Sequence, residues 1–129
     1  METKTVKIGV NKRTNSKGDV IAKRRVWLEG KTLERLGWVK GVTYSRKAQV
    51  IEDGFILTKD SAGELRVAGG DNRPVLDLCG NYIAAALGTI EDGFKEVTVT
   101  ITAKRITITG KAAALLLPVF VQVLERAAS

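Results

Sequence analysis

Lys12, Arg13, Lys17, Lys23, Arg24 and Arg25 place six cations within a short stretch of chain, interrupted by turn-forming and β-prone residues. Fixed cations at this density suit phosphate oxygens, and nucleic acid is the polyanion that such a ridge meets most often. Arg46 and Lys47 add a second basic pair. They are consecutive in an expected strand, so at most one of them can join the ridge. Arg73 stands in the corresponding loop further along the chain. An exposed hairpin whose lysines guard a sheet edge is the plainer account of the same residues.

Other chemistries are poorly supplied. The 129 residues contain no histidine and one cysteine, Cys79. Ser-His and Cys-His catalysis, histidine-ligated zinc, multi-cysteine metal sites and intramolecular disulfides are therefore excluded. The carboxylate pairs Glu52-Asp53 and Glu91-Asp92 lie in expected turns, where a solvated role is simpler than magnesium binding. Gly69-Gly70 is a loop signal without a phosphate-binding motif around it. No catalytic residue, metal or cofactor is called for, and the chain reads as a non-enzyme. Trp27 and Trp38 have the chemistry of base-stacking platforms. Trp27, between Val26 and Leu28, is expected to be buried instead, while Trp38 could go either way. Cys79, in an apolar strand, is expected to be an inert core thiol.

The charge is unevenly distributed. The net charge is +7, but residues 1–47 carry thirteen Lys and Arg against four Asp and Glu, and residues 48–129 carry eight against ten. A basic first part on a near-neutral remainder points to a polyanionic partner. No apolar run approaches the roughly 20 residues that a membrane span requires. The start, METKTVKIGV, lacks the apolar core of a secretory signal, so a cytoplasmic location is expected.

The elements that must position these residues are mostly strands. Thr5–Val10 alternates and reads as a half-buried strand, Asn11–Asp19 as a basic loop, and Val20–Glu29 as the returning strand. Gly30–Gly37 is a short helix with Leu33 and Leu36 on one face. Val42–Ile51 and Phe55–Thr58 form a hairpin about Glu52-Asp53-Gly54. The order then recurs: a strand over Glu64–Ala68, a loop over 69–74, a strand over Val75–Cys79, a short helix over Gly80–Gly88, and strands over Phe94–Thr102 and Ile106–Thr109. Val26–Gly30 aligns with Leu76–Gly80, and an offset of 51 pairs Phe55 with Ile106 and Leu57 with Ile108. A unit of about 50 residues buries too little surface to stand alone. The expectation is a mainly β fold with short helices, in which two units (residues 1–60 and 61–110) share one pseudo-two-fold β core, followed by a C-terminal α-helix over 111–129.

The run Trp27-Leu28-Glu29-Gly30-Lys31, with Leu33, Glu34, Gly37, Gly41 and the hairpin end Gly54-Phe55-Ile56-Leu57, resembles the SymE-like branch of the AbrB/MazE swapped-hairpin superfamily. Leu78, Gly80, Ile83, Gly88 and Gly93 repeat the pattern more loosely, so the resemblance spans about residues 5–109 as two tandem units. It implies a pseudo-dimer within one chain that exchanges strands between its halves. It also implies DNA binding, as in transition-state regulators and antitoxins, with Lys12, Arg13, Lys17, Lys23, Arg24 and Arg25 at the DNA-facing positions. The second copy offers only Asn72 and Arg73 there, one weak face against one strong face.

The expected function is a DNA-binding transcriptional regulator, with duplex DNA favoured over RNA. The alternatives are a protein-interaction module, such as an inhibitor or antitoxin-like partner, and a SymE-like toxin that cleaves nucleic acid. In the C-terminal helix Leu116, Phe120 and Leu124 recur at spacing four, with Val123 beside them. They form a candidate homodimer contact, and capping of the chain's own core is the competing role.

Overall fold

A computed structural model describes residues 1–46 and 53–110. Among them ten strands and two short helices are laid out as two antiparallel sheets. The strands are β1 (Glu2–Lys7), β2 (Gly9–Thr14), β3 (Val20–Glu29), β4 (Thr43–Ser45), β5 (Gly54–Lys59), β6 (Leu65–Arg66), β7 (Ala68–Gly70), β8 (Arg73–Cys79), β9 (Glu96–Ile101) and β10 (Arg105–Thr109). The helices are α1 (Lys31–Arg35), after β3, and α2 (Asn81–Leu87), after β8. The mainly β class expected above is what the chain adopts. Lys47 and the candidate dimer residues Leu116, Phe120, Val123 and Leu124 lie outside the described residues.

One sheet has the order β1-β9-β10-β5-β4-β6 and the other β2-β3-β8-β7. Strands early in the chain pair with strands late in it. β1 lies on β9, and β6 lies on β4. Where β3 meets β8, Trp27 faces Asp77, with Val26 opposite Leu78 and Leu28 opposite Leu76. Where β5 meets β10, Ile56 faces Thr107, with Phe55 opposite Ile108 and Leu57 opposite Ile106. Both sheet orders read alike from either edge when each strand of residues 2–59 is exchanged for its counterpart in 65–109.

Alternation explains the core. Val26 and Leu28 of β3 and Leu76 and Leu78 of β8 point inward from the smaller sheet. Val97, Val99, Ile101, Ile106 and Ile108 do so from the larger one, joined by Leu57. Val, Ile and Thr fill β9 and β10 because β-branched side chains fit a pleated surface. Leu33 of α1 and Ile83 and Leu87 of α2 complete the same cluster. Trp38 is fully buried; its indole N–H donates to the Thr102 carbonyl at 2.8 Å, and its ring meets Tyr44 edge-on at 6.0 Å.

Several local expectations are corrected. Residues 5–10 do not form one strand: the chain leaves the larger sheet after Lys7 and enters the smaller at Gly9, with the Ile8 N–H donating to the Lys95 carbonyl at 2.9 Å. Residues 11–14 are strand, not loop. They are held by ladder pairing with residues 20–23 and are wholly exposed, so no burial periodicity announces them. Likewise β7 and β8 extend into the expected loop and leave only Asp71-Asn72 as the turn. Trp27 is 40% exposed, against the burial expected for it, because its register places it on the outward face of β3. Cys79, on the same outward face of β8, is half-buried.

Candidate nucleic-acid interface

Six of the thirteen basic residues of the first part are carried by a two-stranded ribbon. β2 pairs with the first part of β3 from Gly9–Arg25 to Thr14–Val20. All six residues of β2 are exposed and it is an edge strand, so the ribbon turns its β2 side to solvent, while its β3 side is anchored by the buried Arg24. Its tip is built by local polar chemistry. The Asn15 carboxamide oxygen accepts from the backbone N–H groups of Lys17 (2.9 Å) and Asp19 (3.0 Å), and the Asn15 N–H donates to the Asp19 carbonyl at 2.9 Å. Gly18 takes φ +85°, a conformation that a side chain disfavours, and closes the turn.

The ribbon sorts its cations by face. In an antiparallel ladder directly opposed residues share a face, and faces alternate along each strand. Arg13, opposite Ile21, therefore shares a face with Lys23, Arg25 and Trp27. Lys12, opposite Ala22, lies on the other face, and Lys17 sits at the tip. Lys12, Arg13 and Lys17 are exposed and Lys23 half-buried, and none has an ion-pair partner among the described residues. Arg73, exposed at the start of β8, falls on the face of Trp27, because Trp27 opposes Asp77 and positions 73, 75 and 77 alternate in step.

Arg24 is a correction. Its alternation turns it inward, where it is 5% exposed. Its guanidinium donates to the carbonyls of Leu87 (3.2 Å), Gly88 (2.7 Å) and Phe94. Burial lowers its pKa. A cation placed there meets carbonyls at the C-terminal end of α2, of which that of Leu87 also accepts the Phe94 N–H at 3.0 Å. Gly93 makes room for it, since a Cβ at that position would collide with the Arg24 guanidinium. Arg24 therefore sits as a structural clamp, turned away from the exposed surface expected for it from the sequence.

Arg25 is surface-placed but engaged. Nε and Nη2 donate to the two Asp77 oxygens at 2.7 and 3.0 Å, and Cζ lies 4.3 Å from the centre of the Trp27 ring. The hydrogen bond to Asp77 raises its pKa. Arg46 is likewise occupied: its Cζ lies 3.5 Å from the ring centre of Tyr82, which Phe55 meets edge-on at 5.4 Å. Of the expected contacts, the structure thus gathers Lys12, Arg13, Lys17 and Lys23 on the ribbon and adds Arg73 on the sheet beside it. The Arg25–Trp27–Asp77 cluster was missed as a unit, because its members meet only through the pairing of β3 with β8. No described helix is long and apolar enough to cross a membrane.

Comparison of the chain with protein families, curated proteins and solved structures finds no match.

Proposed function

We propose that this protein is a non-enzymatic nucleic-acid-binding protein, a DNA-binding regulator that presents the β2–β3 ribbon to duplex DNA. The observation that carries the reading is the ribbon itself: an exposed two-stranded element with Lys12, Arg13 and Lys17 at the surface and without ion-pair partners among the described residues. A two-stranded ribbon fits the major groove, and such cations neutralise the flanking phosphates. We read the scaffold as two tandem swapped-hairpin units in one chain. The support is the cross-pairing of β1 with β9 and of β6 with β4, and the matching residue pairs about Trp27–Asp77 and Ile56–Thr107. The second unit has only the stub β7–β8 where the first has the ribbon, so each chain offers one arm.

A salt titration of binding to duplex DNA, single-stranded DNA and RNA tests the proposal. Four or five phosphate contacts give a log–log slope of about −4 on B-DNA. Absence of duplex binding at low salt overturns it. A second reading is favoured by one observation: β2 is a fully exposed edge strand, to which an extended segment of a partner protein could add. That partner would bind with little dependence on salt.

A further inference from the structure

We propose that Trp27, at the root of the ribbon, is a stacking platform for an unpaired nucleobase, so that the preferred ligand is duplex along the ribbon and single-stranded across the sheet. This rests on the nucleic-acid reading and refines its substrate class. Trp27 is 40% exposed on a central strand, whereas Trp38 is fully buried. The exposure has a structural cause. The ladder of β2 on β3 ends at Gly9–Arg25, so no β2 residue stands beside Trp27, and Gly9 has no side chain to shade it.

The ring is held ready. Arg25 lies over one face of it at 4.3 Å and is itself fixed by both Asp77 oxygens, so an incoming base would stack on the other face of the ring or on the guanidinium plane. A rotamer fixed before binding loses little entropy when a ligand arrives. The surroundings favour a polyanion over an apolar peptide: Arg13 and Lys23 on one side and Arg73 on the other share the face of Trp27 without ion-pair partners among the described residues, and they outnumber the carboxylates of that face, Asp77, which Arg25 holds, and Glu29. Lys23 lies four residues from Trp27, about 13 Å along the strand at roughly 3.3 Å per residue. In the interior of a duplex both faces of each base are covered by its neighbours, so away from the duplex ends only an unpaired or displaced base presents a face to an indole.

The test uses the full chain with two probes, a short blunt duplex and the same duplex bearing a single-stranded overhang of a few nucleotides. The overhang duplex is expected to bind about tenfold more tightly, as one stacked base would provide, and to quench tryptophan emission more strongly than the blunt duplex, which offers only its terminal pairs. Trp27→Ala removes the advantage and leaves blunt-duplex affinity unchanged, while Trp27→Phe keeps most of it. Equal affinities for the two probes, or an advantage that survives in Trp27→Ala, overturns the platform and leaves ribbon binding intact. Failure of both probes to bind at low salt removes the nucleic-acid reading beneath it. Should Trp27→Ala not fold, the wild-type affinity ratio and quenching decide alone: a tighter, quenched overhang complex upholds the platform, and parity sinks it.

Discussion

Arg24 donates a hydrogen bond of 2.7 Å to the carbonyl oxygen of Gly88, and so ties the root of the basic ribbon to the C-terminal end of α2. The contact joins residues 64 positions apart and gives one of two adjacent arginines a wholly structural task. The clamp differs from a surface ion pair in having no acidic partner among the described residues. Three carbonyls receive the guanidinium, and its planar fork reaches them from a single position.

Arg24→Ala is expected to destabilise the fold by about 2–3 kcal/mol through loss of buried charged hydrogen bonds; the Leu87 carbonyl keeps the Phe94 N–H, so the cost falls chiefly on the Gly88 and Phe94 carbonyls. Arg24→Lys recovers only part of this, because an ammonium cannot span the same acceptors. Urea denaturation measures both. At a temperature where the variants are folded, their affinity for DNA should match that of the parent chain.

Two glycines separate packing from flexibility. A Cβ on Gly93 would lie 2.5 Å from the Leu87 carbonyl oxygen and against the Arg24 guanidinium, whereas one on Gly70 meets nothing within 4 Å and needs no positive φ. Gly93→Ala is expected to cost at least about 2 kcal/mol as α2 and the clamp are forced apart. Gly70→Ala should be neutral or stabilising by up to about 1 kcal/mol through the unfolded chain. Thermal melts of the two variants, run side by side, check the contrast.

Replacing Lys12, Arg13 and Lys17 together with alanine should leave stability within about 0.5 kcal/mol, since all three are exposed. On B-DNA the magnitude of the log–log salt slope should fall by about three. A folded triple variant with unchanged slope and affinity would show that the ribbon is only a solvated edge.

Burial pushes the Tyr82 phenol up to about 12, against a smaller opposing pull from the Arg46 cation. The sign follows from linkage. Below pH 10 both the folded and unfolded chains keep this proton; between pH 10 and 12 the unfolded chain releases it first. The contribution is therefore complete below pH 10 and is lost as the pH climbs to about 12, by about 2 kcal/mol. Tyr82→Phe should flatten the alkaline fall in stability. Tyrosinate absorbance of the folded protein should show both tyrosines titrating late, since burial raises Tyr44 as well.

Local pattern and composition carried a good part of this molecule. Alternating Val, Ile and Leu between glycine-rich turns specified strands, and Leu33 and Ile83 between glycines specified two short helices, because these signals act over a few residues. The spacing of 50 between Val26–Gly30 and Leu76–Gly80 is also the spacing between Trp27 and Asp77, which face each other in the sheet. The basic cluster was legible as charge. Which cations remain available was decided only by tertiary structure. Alternation shows that Arg24 and Arg25 point to opposite sides, but only the packing of β3 over α2 makes one side interior, and only β8 brings Asp77 to Arg25. The same cause overturned the burial expected of Trp27 and settled that of Trp38. Trp27 has apolar neighbours in sequence yet faces outward, and Trp38, after a helix-ending glycine, turns into the core where the Thr102 carbonyl accepts its N–H. A residue's neighbours along the chain share its strand, but what covers its side chain comes from elements far away in sequence.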